Sequence, residues 1–188
     1  SNGQLNDTLS QYLSQHNIPG IYGIDTRAVI RRIRNNGVMM GVLTKEEPTK
    51  VLHKWGDVAS YGEIDFVQRV TSDSGYTWTG DMELPESSKR YRIIVVDYGL
   101  KYNILRLLQT RNCSVIVMSA NSSAKDILEQ KPDGLLLSPG PGDPALLKNM
   151  VLTVAELVGK IPMFGICLGH QIIGQVLGAK TYKLKFGH

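Results

Sequence analysis

A cysteine held between two glycines is the strongest chemical signal in the sequence. In FGICLGHQ (Phe164–Gln171) an apolar run ends at Cys167, with Gly165 and Gly169 two residues to either side. A helical pattern follows at once. This is the glycine-flanked elbow spacing of strand-to-helix nucleophiles, with cysteine in place of serine. A sharp turn from strand to helix forces unusual backbone angles at the central residue, so its neighbours must be small. The turn pushes the sulfur out at the carboxyl end of a sheet and sets it at a helix N-terminus. There, unpaired N–H groups and the helix dipole favour a nucleophilic thiolate. The plain alternative is a small buried core cysteine, and the paired glycines and His170-Gln171 weigh against it. Cys113 has no such setting and is assigned to packing.

A second signal is LLLSPGPGDPA (Leu135–Ala145). Three prolines stiffen this loop, while Gly140 and Gly142 let backbone approach a ligand closely. It follows an apolar strand pattern, which puts it at the same sheet edge as Cys167. A backbone N–H from this loop, together with that of Leu168, is suited to stabilise an oxyanion. A phosphate-binding loop is disfavoured because no Walker lysine follows. The two cysteines and four histidines show no metal-ligand or disulfide spacing, so no metal is expected.

The elements around these residues divide the chain. The stretch from Thr71 to Arg90 is polar and rich in turn formers and is expected to connect two regions. Before it, Asp7–His16 is expected to form a helix capped by Asp7 or Asn6. A second helix spans Asp25–Gly37, capped by Asp25 or Thr26. Val38–Thr44 is expected to be a short strand and Lys45–Trp55 a helix. After it, strand and helix patterns alternate. The strands are Tyr91–Gly99, Cys113–Ala120, Asp133–Ser138 and Pro162–Ile166. The helices are Lys101–Arg111, Ser123–Gln130, Ala145–Gly159 and Leu168–Gly178. Such alternation calls for an α/β fold: an open, mostly parallel sheet with helices on both faces, joined by right-handed crossovers, with ligands outside the carboxyl ends of the strands. A smaller α+β segment precedes it. The expected boundaries are 1–72, a linker at 73–90, and 91–188.

Composition restricts the function classes. Hydrophobic residues make up 42% and charged residues 20%, enough for a packed core. The apolar runs fall short of the ~20 residues of a membrane span, and the N-terminal residues are polar. A cytoplasmic protein without a membrane partner is expected. The net charge of +4 is mild. Arg27, Arg31, Arg32 and Arg34 cluster without interleaved aromatics, so a solvated helix face is preferred to a nucleic-acid patch.

SPGPGDPA followed by PMFGICLGHQIIG resembles the class I glutamine amidotransferases, whose domains are flavodoxin-like. IPGIYGIDTRAVIRRIR, VVDYGLKYNILRLL and GAKTYKLKFGH draw the resemblance closer to the small, glutaminase subunits of carbamoyl phosphate synthetases. It runs over essentially the whole chain. It implies that Cys167 forms a glutamyl thioester and releases ammonia. It also implies that Gly140 and Leu168 contact the oxyanion and glutamine, and that Gly142 and Gln171 bind glutamine. The implied partner is a large synthetase subunit, reached by ammonia through an internal tunnel. That subunit makes carbamoyl phosphate from bicarbonate and ATP, for arginine and pyrimidine synthesis. ATP and Mg are implied on that subunit, with no cofactor in this chain.

The family's catalytic base is a distant histidine in a His-x-Glu segment, so His170 is not assigned that role. No His-x-Glu segment occurs in these residues, and neither does the family's Asn-x-Gly-Phe glutamine-binding segment. The chain is therefore expected to be an internal fragment with a nucleophile and no general base, inactive alone. Two alternatives stay open: a non-catalytic, glutamine-sensing or partner-binding module of this fold, and a cysteine peptidase or thioesterase with a similar elbow.

Overall fold

The computed structural model describes residues 8–53, 59–80 and 90–184, which divide into two compact units, the first made of 8–53, 59–60 and 184 and the second of 61–80 and 90–183. In the first unit the described elements are helices: α1 (Leu9–Gln15), α2 (Thr26–Asn36) and α3 (Pro48–Leu52). Thr8 caps α1 through a reciprocal box with Gln11, in place of the expected Asn6 or Asp7, which lie outside the described residues. Asp25 caps α2 as expected, its Oδ1 accepting from the Ala28 N–H at 2.9 Å, and Gly37 ends the helix at φ 86°. The helix expected over Lys45–Trp55 begins only at Pro48, because proline is tolerated at a first turn and not inside a helix. Its expected end at Trp55 lies outside the described residues. The strand expected at Val38–Thr44 does not form among the described residues. The apolar residues are there, with Val38, Met40 and Leu43 exposed, but among the described residues no strand pairs with this segment to supply the ladder its backbone groups need.

The second unit is the expected α/β sheet. Its strands are β1 (Tyr76–Trp78), β2 (Tyr91–Asp97), β3 (Cys113–Ser119), β4 (Gly134–Leu137) and β5 (Met163–Gly165), in the order β1-β3-β2-β4-β5. The pairings β2–β3, β2–β4 and β4–β5 are parallel. Only β1 is antiparallel, Tyr76 lying opposite Val117. It forms within the polar stretch read as a connection, where Tyr76 and Trp78 give one half-buried face. The helices are α4 (Tyr102–Thr110), α5 (Ala124–Glu129), α6 (Lys148–Leu157) and α7 (Leu168–Val176).

Strand alternation divides the core in two. Val95, Val115, Val117 and Leu136 face Leu105 of α4. Ile94, Val96, Leu135 and Leu137 face the other way, onto Ile127, Val154 and Ile172 of α5, α6 and α7. Right-handed crossovers require this split, because the chain moves one way from β2 to β3 and the other way from β4 to β5. The reversal puts the switch point between the carboxyl ends of β2 and β4, where such sheets hold their ligands. The helix expected over Ala145–Gly159 arrives in two pieces, a 3₁₀ turn at Pro144–Leu146 and then α6. The Asp143 carboxylate accepts from the Ala145 N–H at 2.9 Å and closes the first piece. Among the described residues no helix is long and apolar enough to cross a membrane.

Candidate functional site

The elbow begins with β5, three residues long, which runs beside β4. The Ile166 N–H still donates to the Leu137 carbonyl at 3.0 Å, and then the chain turns. Cys167 takes φ 53° and ψ −110° as the residue preceding α7. Its positive φ, at a ψ outside the left-handed helical well, is strained backbone. Such strain costs on the order of 1–3 kcal/mol and persists only where the surroundings dictate it.

The two glycines dictate it, each by a different contact. A Cβ on Gly165 would lie 2.4 Å from the Gly169 carbonyl carbon and 2.5 Å from the His170 nitrogen, so the strand end and the first turn of α7 meet backbone to backbone. A Cβ on Gly169 would lie 2.3 Å from the Leu137 oxygen, so α7 presses on the adjacent strand. Around the first turn, Leu168, Gly169 and Ile172 are buried, while Cys167, His170 and Gln171 are exposed. The Gln171 N–H donates to the Cys167 carbonyl at 3.0 Å, an ordinary helix bond that leaves its side-chain amide free of backbone duty.

The loop after β4 comes against this turn. Gly140 is wedged tightly: a Cβ there would lie 2.2 Å from the Tyr98 oxygen and 2.8 Å from Cδ2 of Leu168. Gly140 and Leu168, both expected to supply oxyanion N–H groups, are thus neighbours in space. Gly142 is glycine for another reason. It has φ 99° and only ordinary contacts at 3.8 Å with Phe66, so the backbone angle and not crowding selects it.

The frame behind the loop was not anticipated from the sequence. Asp97 ends β2, and its Oδ1 accepts from the N–H groups of Gly99 at 2.9 Å and Leu100 at 2.8 Å. Its Oδ2 accepts from the Ser72 N–H at 3.0 Å. Ser138, fully buried, accepts from the Tyr98 N–H at 2.8 Å. A strand-ending aspartate two residues before a glycine is a legible Asx-turn signal; the contacts of Ser138 and Ser72 are long-range and leave no local pattern. At the same sheet edge a cleft of about 320 Å³ is lined by Val70, Tyr76, Asp97, Gly99, Leu100, Tyr102 and Pro141, and Cys167 is not among its walls.

The second cysteine differs. Cys113 is half-buried on β3; burial pushes its thiol pKa up, partly offset by the nearby Arg111 charge, and its Sγ–H points at the Arg111 carbonyl at 3.7 Å. No cluster of His, Cys, Asp or Glu able to hold a metal occurs among the described residues. The arrangement offers an exposed thiol on a strained turn whose next residue, Leu168, packs against Gly140 of the glycine loop, which suits attack on a small planar electrophile.

The family model for glutamine amidotransferase class-I matches residues 94–188, and that for the carbamoyl-phosphate synthase small chain, CPSase domain, matches residues 1–43. The chain is similar to the chloroplastic carbamoyl phosphate synthase small chain of Oryza sativa subsp. japonica, 42% identical over 200 residues, covering 100% of this chain and 44% of the relative. It is also similar to the carbamoyl phosphate synthase small chains of Synechocystis sp., 42% identical over 200 residues, and of Syntrophotalea carbinolica, 42% identical over 197 residues. Each alignment covers 100% of this chain and 52% of the relative. The chain spans about half the length of the curated relatives it matches.

Proposed function

The chain belongs to the glutamine amidotransferase class-I family, and from that premise we propose that it is the ammonia-releasing part of a carbamoyl phosphate synthase small chain. Cys167 is the nucleophile. Its sulfur attacks the carboxamide carbon of glutamine, and the carbonyl oxygen takes up negative charge facing the N–H groups of Gly140 and Leu168. One such donor contributes roughly 3–4 kcal/mol to lowering the barrier in well-studied hydrolases. Gly142 and Gln171 hold the substrate. The tetrahedral centre collapses, the carbon–nitrogen bond breaks, and the thiol proton travels by way of a base to the departing nitrogen. Water then cleaves the glutamyl thioester to glutamate and free thiol.

The base is the part that these 188 residues do not offer in His-x-Glu form. His170, exposed one turn along α7, is not assigned the role. The 188-residue polypeptide alone therefore turns glutamine over very slowly or not at all. In the assembled protein, ammonia passes to a large cytoplasmic synthetase subunit. That subunit holds ATP and Mg and makes carbamoyl phosphate from bicarbonate, for arginine and pyrimidine synthesis. The glutaminase site lies in the second unit, 61–80 and 90–183, whose sheet includes β1.

The observation that carries the proposal is the exposed, strained Cys167 with Gly140 packed on the adjoining Leu168. The test is ammonia release from L-glutamine by the full-length protein, with and without its synthetase subunit. We expect release in the complex, and loss to background in Cys167→Ser. Undiminished release by that variant rules the proposal out. Hydrolysis of peptides or thioesters in place of glutamine points instead to another elbow enzyme.

A further inference from the structure

We propose that Ser138 is a positioning residue: its hydroxyl aims the Gly140 N–H at the oxyanion. This rests on the amidotransferase reading above and assigns a role within the same site.

Ser138 follows the last residue of β4 and is 0% exposed. Its own N–H donates to the Val96 carbonyl at 3.1 Å, so its backbone continues the parallel ladder and cannot shift. Its hydroxyl accepts from the Tyr98 N–H at 2.8 Å and donates to the Pro139 carbonyl at 2.8 Å. A hydroxyl has a single proton. The Tyr98 amide takes one of its two acceptor positions, and the proton goes to the Pro139 carbonyl.

The Pro139 carbonyl and the Gly140 N–H belong to one peptide unit. The described residues contain no cis peptide bond, so the two groups point in opposite directions from a rigid plane. Holding the carbonyl on the Ser138 side therefore holds the N–H on the other side. The proline ring already fixes φ at Pro139. Rotation of the plane is left to ψ of Pro139 and φ of Gly140, and the Ser138 bond clamps that rotation. Gly140 has no room to compensate by sliding, being wedged between the Tyr98 carbonyl and Leu168. A flipped plane would give up the Ser138 bond to the Pro139 carbonyl.

The experiment uses the full-length protein assembled with its synthetase subunit and compares three readouts. The first is steady-state glutaminase activity. The second is labelling of Cys167 by the chloroketone L-2-amino-6-chloro-5-oxohexanoate. Its ketone oxygen takes the place of the amide oxygen while sulfur displaces chloride from the adjacent carbon, forming C–S and releasing Cl⁻ and the thiol proton. The third is labelling by iodoacetamide, a displacement too small to depend on that oxygen contact. Loss of one oxyanion donor lowers turnover about 10²–10³-fold in hydrolases, and a misaimed donor should lower it by roughly 10–100-fold. For Ser138→Ala we expect that drop in kcat and in chloroketone labelling, with KM within about threefold, an unchanged iodoacetamide rate, and recovery in Ser138→Thr, which keeps the hydroxyl. If Ser138→Ala fails to fold, Ser138→Cys, close in volume and a weak donor, carries the same comparison. Wild-type kcat in the folded alanine or cysteine variant overturns the proposal, as does an equal fall in both labelling rates. A wild-type protein that neither hydrolyses glutamine nor reacts with the chloroketone overturns the amidotransferase reading itself, and is thereby told apart from failure of the Ser138 role.

Discussion

Two helices, one from each unit, carry similar local patterns and meet different ends. In the first unit, α2 has an aspartate cap, a glycine stop and an apolar stripe, yet Val29, Ile30 and Ile33 are 46%, 62% and 45% exposed. In the second unit, α4 has no side-chain cap, yet its Leu105 is 0% exposed against Val95 and Val117. Among the described residues every buried hydrophobic side chain lies between Val67 and Ile172. Caps and periodicity are enough to define a helix, whereas burial depends on what strands lie beside it. Most helical stability comes from that packing.

The contrast can be broken by substitution, read by urea denaturation. The largest loss is expected for Gly169→Ala, because the added carbon meets backbone of β4 that cannot give way; on the order of 4 kcal/mol is at stake. Leu105→Ala should cost about 3 kcal/mol through lost burial and the cavity left behind. Asp25→Ala should cost about 1 kcal/mol, confined to α2 as lost helical circular dichroism. Ile30→Ser should change stability by less than about 0.5 kcal/mol. If Ile30→Ser costs as much as Leu105→Ala, the contrast between the two units is wrong.

Alkaline titration sharpens the same comparison. Tyr98 is buried in the second unit, and burial pushes its phenol pKa well above the usual value. A group whose folded pKa is raised contributes stability that is present below the unfolded pKa, near 10, and drains away as pH rises above it. The second unit should therefore lose urea resistance above about pH 10. Tyr98→Phe should flatten that decline, and an unchanged decline would remove Tyr98 as its cause.

Much of this was legible in the residues. The switch from strand to helix periodicity marked β2 through α7, because parallel strands buried on both faces read as apolar runs. The Cys167 elbow was legible because steric need leaves glycines at fixed spacing. Which contact each glycine relieves was not, since Leu137 and Gly169 meet only in three dimensions. β1 escaped notice because three residues amid serine, glycine and aspartate carry too little alternation, and its partner β3 lies far along the chain. Val38–Thr44 shows the converse: strand-forming side chains with no strand paired to them among the described residues. The Ser138 clamp was invisible for the same reason, its Tyr98 partner lying on another strand.

The claim that Cys167 is a nucleophile poised for glutamine is tested most directly by iodoacetamide labelling of the full-length assembled protein, with both cysteines followed by peptide mapping. Cys167 is exposed, whereas Cys113 is half-buried with a raised thiol pKa. Cys167 should react about 10-fold faster or more, and saturating L-glutamine should slow its labelling while leaving Cys113 unaffected. Equal rates at the two cysteines, with no protection by glutamine, would contradict the account.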